Sequence, residues 1–180
     1  SKVVKVLTEH GVLPIFVRLS KKGGNSVWHP LASIELSEVR RKNTSSLATY
    51  KGVERLIPAI KTQQDPKRTA LAFFIAEVLE KSLQEGAHIE EVFGVVEEAV
   101  NLLENDEYVA NLHFYTIAKV VSALGLMPEN PGEVGMSLHL EDGEWYDTKP
   151  LLTKNSYLLR YDLAEWMIKI PGMNFVQLRN

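Results

Sequence analysis

The chain contains no cysteine, which excludes disulfide staples, thiolate zinc sites and cysteine nucleophiles and fits a reducing compartment. It has no apolar run approaching the roughly 20 residues that a membrane-spanning helix needs. The opening Ser1-Lys2-Val3-Val4-Lys5 lacks the apolar stretch and small-residue cleavage site of a signal peptide. These absences predict a cytoplasmic protein with no membrane partner. Hydrophobic residues make up 45% of the 180 and charged residues 24%, ordinary globular usage that is ample for a core and excludes disorder.

Catalytic and cofactor signatures are also missing. The histidines His10, His29, His88, His113 and His139 show no HExxH and no paired spacing, so the sequence supports neither a metal site nor any other cofactor. Gly23-Gly24 and Gly132-Glu133-Val134-Gly135 lack the frames that cradle phosphates. Glu90-Glu91 and Glu97-Glu98 sit where an amphipathic helix keeps its solvated face. With no nucleophile beside a recognisable base, the chain reads as a non-enzyme.

What is present is a division of charge. Residues 1–68 hold 13 Lys and Arg against 5 Asp and Glu, a net of +8, and residues 69–180 hold 7 against 18, a net of −11, summing to −3. Such asymmetry suits either nucleic-acid contact by the basic part or its docking to an acidic protein.

The basic part reads as strands. Leu13, Ile15, Val17 and Leu19 alternate onto one face and leave Phe16 and Arg18 on the other; Lys21 and Lys22 follow in a turn. A half-buried strand is expected over 30–39, a polar loop containing Arg40, Arg41 and Lys42 after it, and a further extended stretch over 47–57. Short strands joined by polar loops suggest a small barrel or antiparallel sheet. Phe16, Arg18, Lys21, Lys22, Arg40, Arg41 and Lys42 are the candidate DNA-binding set. The cations would track phosphates, and Phe16 would either stack a base, a contact of about 1 to 3 kcal/mol, or pack against a neighbouring domain. Trp28 reads as a packing residue.

Asp65-Pro66 marks a change to helices, since the aspartate caps and the proline fits the first helical position. Helices are expected over residues 66 to about 85, stopped by Gly86, then 88 to about 105, and 107–124, stopped by Gly125. The nearly all-apolar Ala70-Leu71-Ala72-Phe73-Phe74-Ile75-Ala76 predicts that the first is covered on several sides. A hairpin turning at Glu141-Asp142-Gly143 and a fourth helix over about 156–170 complete the pattern. The class is α+β: a strand domain over 1–62, then a helical bundle over 63–180 with a hairpin insertion. The bundle's scattered Lys81, Lys119 and Arg160 suit a short acidic peptide ending in a hydrophobic residue.

The order of basic strands, Asp65-Pro66, Ala70 to Leu79, Ala110-Asn111-Leu112-His113-Phe114, Leu124-Gly125-Leu126-Met127-Pro128 and Leu138-His139-Leu140-Glu141-Asp142-Gly143 resembles the bacterial DNA repair protein RecO family. His29-Pro30-Leu31-Ala32-Ser33-Ile34-Glu35-Leu36 is similar to a family strand that begins with a proline-leucine step. The resemblance implies that residues 1–62 form an OB fold binding single- and double-stranded DNA. It further implies a mediator that anneals complementary strands and, with RecR, helps load RecA onto DNA coated by single-strand binding protein. The acidic tail of that protein is then the implied partner of the helical domain. The family's first strand, ahead of Lys2, has no counterpart here, so the barrel is incomplete as written, and the four-cysteine zinc site of some members cannot exist. A scaffold docking an acidic partner through the basic strands is the alternative.

Overall fold

The computed structural model describes residues 1–18, 27–41, 47–84, 89–130, 135–147 and 157–179. They fall into two compact units, Ser1–Thr116 and Ile117–Asn180.

The first unit opens with β1 (Lys2–Thr8) and β2 (Gly11–Val17), paired antiparallel from Lys2↔Val17 to Thr8↔Gly11. Three more short strands follow, β3 (Ile34–Ser37), β4 (Arg40–Arg41) and β5 (Ala48–Thr49), and then β6 (Gly52–Arg55). One sheet has the order β1-β2-β5-β4, with a parallel contact Ile15↔Ala48; the other is the antiparallel pair β3-β6. Of the alternation expected in β2, Ile15 and Val17 are buried and Phe16 is less so. Leu13 is only half-buried, Pro14 is buried on the opposite parity, and Leu19 lies outside the described residues. Ile15, Val17 and Ala48 are fully buried, and Val4, Val6, Leu13, Trp28, Leu36 and Tyr50 pack against them. Trp28 meets Tyr50 edge-on at 5.4 Å, in the packing role its sequence context suggests.

The strand region departs from expectation first at Arg40–Arg41, which form β4 where a polar loop was expected. The strand foreseen over 30–39 shrinks to β3, because a turn closed by Ala32 N–H on the His29 carbonyl (3.1 Å) puts Leu31 in the left-handed region at φ 57°. No closed barrel is seen among the described residues. The strands split into two sheets, and β1 is left as an edge.

The helices of this unit are α1 (Ile60–Gln64), α2 (Pro66–Ser82), α3 (Glu90–Asn105) and the start of α4 (Leu112–Ala123). Asp65 caps α2 as the sequence suggests, its carboxylate accepting the Lys67 N–H at 2.9 Å with Pro66 behind it. Val92, Val96, Ala99 and Leu103 bury one stripe of α3, while Glu90 and Glu91 favour its positive N-terminal end. Coverage of α2 on several sides is not what the structure has. Ala72, Ile75 and Leu79 turn inward at helical spacing, but Phe73 is 57% and Phe74 46% exposed, since neighbouring positions on a helix point about 100° apart. α4 begins five residues later than expected. Asp106 accepts the Tyr108 N–H at 2.9 Å, a local turn that competes with helix there. The expected stop Gly86 lies outside the described residues.

In the second unit, α4 ends with Gly125 at φ 70° and the Leu126 N–H on the Val121 carbonyl, as its glycine implied. The expected hairpin is β7 (Met136–His139) with β8 (Trp145–Asp147), and β9 (Leu158–Arg160) pairs on the other side of β7. The fourth helix is therefore shorter than the 156–170 expected: α5 spans Tyr161–Lys169, followed by 3-10 turns at Ile170–Gly172 and Phe175–Arg179. Leu138, Ala164, Ile170, Phe175 and Leu178 make this unit's buried centre.

Candidate nucleic-acid interface

Strand alternation sorts the candidate residues. Phe16 pairs with Val3 and points away from the buried Ile15 and Val17, and it is half-buried; Arg18, just past β2, is exposed. Ala48 faces the core, so Thr49 and its partner Arg40 lie on the opposite, outer face with Phe16. Arg41 pairs with Ala48 and takes the other parity at the sheet's edge, where it is exposed. Phe16, Arg18 and Arg40 thus share one side of the sheet, and Arg41 departs from it. Lys21, Lys22 and Lys42 lie outside the described residues.

The cation on this face is not free. Arg40 Nη2 lies 3.2 Å from Glu38 Oε2, and Lys51 Nζ lies 2.6 Å from the same oxygen. Lys51 was not among the expected contacts, because in sequence it stands alone beyond the Arg40-Arg41-Lys42 cluster. Glu38 sits at φ 47°, an uncommon conformation for a side chain with a Cβ.

The three cations expected to meet an acidic peptide divide between the units. In the first, Lys81 holds Glu77 one turn back at 2.6 Å; this hydrogen bond and the paired charge push the lysine up and hold the glutamate down. In the second, Lys119 is half-buried on α4, and Arg160 chelates Asp162, Nε to Oδ1 at 3.2 Å and Nη2 to Oδ2 at 2.7 Å.

One of the 13 basic residues counted in 1–68 is not a surface cation at all. Arg68 is 7% exposed; its guanidinium donates to the carbonyls of Leu103, Asp106 (2.7 Å) and Glu107 (3.5 Å), closing the C-terminal end of α3 where a cation is favoured. Close by, Glu104 accepts the Lys61 and Thr62 N–H groups at 2.9 and 3.1 Å and the Thr62 hydroxyl at 3.0 Å, capping α1 from the far end of α3. Burial pushes this carboxyl up, and the backbone and hydroxyl donors outweigh it, so its pKa lies below the ordinary carboxylate value. His29 is held low chiefly by burial, as is His113. Among the described residues no group of three metal-ligating side chains comes together, and no helix is long and apolar enough to cross a membrane.

The family model described as Recombination protein O C terminal matches residues 63–141, and the DNA repair protein RecO of Flavobacterium psychrophilum is 30% identical over 135 residues, 72% of this chain and 56% of that protein. The chain is similar to the RecO family. Two further RecO proteins resemble nearly all of it. That of Azobacteroides pseudotrichonymphae is 25% identical over 180 residues, covering 96% of this chain and 73% of the relative. That of Bacteroides fragilis YCH46 is 26% identical over 182 residues, 97% and 74%. The matches thus span between 56% and 74% of the length of these RecO proteins.

Proposed function

We propose that this RecO-like chain serves DNA repair and recombination as a mediator rather than a catalyst. It binds single- and double-stranded DNA, anneals complementary strands and, with RecR, helps load RecA onto DNA coated by single-strand binding protein. What carries the DNA-binding part is the grouping of Phe16, Arg18 and Arg40 on one side of the four-stranded sheet, an aromatic beside cations, in a chain similar to a family named for DNA repair. In this proposal residues 1–62 act as an OB fold and 63–180 as a helical domain, and the protein works in the cytoplasm. A groove of about 450 Å³ borders β1, lined by Val4, Val6, Trp28, Leu79, Phe93 and Val96. For the tail of single-strand binding protein the candidate contacts stay those expected from sequence, Lys119 and Arg160 in the second unit and, separately, Lys81 in the first, each a cation that suits a carboxylate.

The experiment is a titration of single-stranded oligonucleotide at two salt concentrations. Counterion release gives a log K slope of about −0.7 per phosphate contacted. Absence of binding at low salt would refute the proposal. A shallow salt response with tight binding to an acidic protein would favour the scaffold alternative.

A further inference from the structure

We propose that Arg40 and Lys51 form a phosphodiester subsite whose resting occupant is the carboxylate of Glu38, so that nucleic acid and Glu38 compete for the same two cations. The proposal rests on the DNA-binding reading above and adds to it a contact, Lys51, and a built-in attenuator, Glu38.

The carboxylate stands between two cations that arrive from different strands. Arg40 approaches from β4 at 3.2 Å and Lys51 from just ahead of β6 at 2.6 Å. The backbone behind them is tied down. The Lys51 N–H donates to the Ser37 carbonyl at 3.1 Å, Ser37 pairs with Gly52, and the Thr49 hydroxyl donates to the Arg40 carbonyl at 3.3 Å. The chains approach so closely that a Cβ on Gly52 would meet Ser37 Oγ at 2.5 Å. Glu38, in its left-handed conformation, lies in the short connection from β3 to β4, and such conformations persist only where the surroundings enforce them.

Chemically, a carboxylate and a phosphodiester offer the same thing to a guanidinium and an ammonium: anionic oxygens accepting charge-assisted hydrogen bonds. The side chains of Arg40, Lys51 and Glu38 are 72%, 64% and 48% exposed, so the ion pairs are worth little in water and are readily surrendered. An incoming phosphate gains counterion release that Glu38 cannot match. Glu38 therefore lowers DNA affinity without abolishing it, and most at low salt.

The test is fluorescence anisotropy of the full chain with a labelled mixed-sequence single-stranded oligonucleotide at low and high salt. Removing one negative charge about 4 Å from the phosphate in water corresponds to roughly fivefold in affinity, so Glu38→Gln is expected to bind about fivefold tighter at low salt, with the gain shrinking as salt rises. Glu38→Asp, which draws the charge back, gives a smaller gain in the same direction. Lys51→Ala binds more weakly, and its salt slope is less steep by about 0.7. Unchanged or weaker binding by Glu38→Gln, or an unchanged slope for Lys51→Ala, overturns the subsite while leaving the DNA-binding reading intact. A parent chain that binds no DNA overturns both.

Discussion

Replacing Glu104 probes the contact that ties α1 to the end of α3. Three donors converge on this carboxylate, at 2.9, 3.1 and 3.0 Å, and the residue is only 8% exposed. A hydrogen bond to a charged group contributes about 1.5 to 3 kcal/mol, and losing a helix cap costs about 0.5 to 2 kcal/mol. These losses do not add fully, because water enters the space left by truncation. Glu104→Ala should therefore cost about 3 kcal/mol, and Glu104→Gln, which keeps one acceptor but turns an amide donor toward other donors, about 1 to 2 kcal/mol. At about 3 °C per kcal/mol for a chain of this size, the alanine variant should melt about 10 °C lower. Urea denaturation followed by circular dichroism measures the loss. A cost below about 1 kcal/mol with an unchanged m-value would show that water satisfies the α1 amides without Glu104. The pH dependence supplies a second arm. The folded carboxyl lies below its ordinary 4.5, so its contribution is present above that value and is lost as pH falls through the depressed folded pKa. Stability of Glu104→Gln should accordingly fall less steeply across that acid window than that of the parent.

Arg68→Ala removes the donors that close α3 and should cost about 3 kcal/mol by urea denaturation; Arg68→Lys, lacking the planar fork, should recover less than half. Gly52→Ala should lower the melting temperature by a few degrees, a cost of about 1 kcal/mol, and Ser37→Ala in the same chain should restore it by removing the hydroxyl in its way. His29 and His113 have folded pKa values below 6.5, so the unfolded chain takes up protons first. Stability should fall as pH drops below 6.5, and His113→Phe should flatten part of that fall in urea midpoints compared at several pH values.

The helices were legible where one residue's periodicity decided them. The stripe of α3 repeats at helical spacing, and Asp65-Pro66 marks the start of α2 from purely local chemistry. α1 was not legible, because its five residues bury only Thr62 and its cap comes from Glu104, 42 positions along the chain. Phe73 and Phe74 misled by composition: an apolar run says how much surface a helix could bury, not which side meets a neighbour. The candidate interface shows the same division. Alternation placed Phe16 and Arg18 together within one strand. Neither the shared face with Arg40 nor the Glu38 ion pairs could be read before the pairing of β4 with β5 and of β3 with β6 was known. Arg68 counted toward the positive charge of residues 1–68 although it is buried, because sequence gives charge without burial.

The separate contacts of Arg68 with the end of α3 and of Glu104 with α1 bear on how this protein can be taken apart. A cut between residues 62 and 63, the boundary suggested by the switch from strands to helices, falls inside α1 and separates Thr62 from the carboxylate that holds it. A cut after Arg68 is worse, since it also strips α3 of the guanidinium on its last carbonyls. After the second cut each fragment carries a charged side chain, Arg68 on one and Glu104 on the other, whose partners lie on the opposite piece. Anyone dissecting the chain into separately expressed pieces should keep residues 60–107 on one of them.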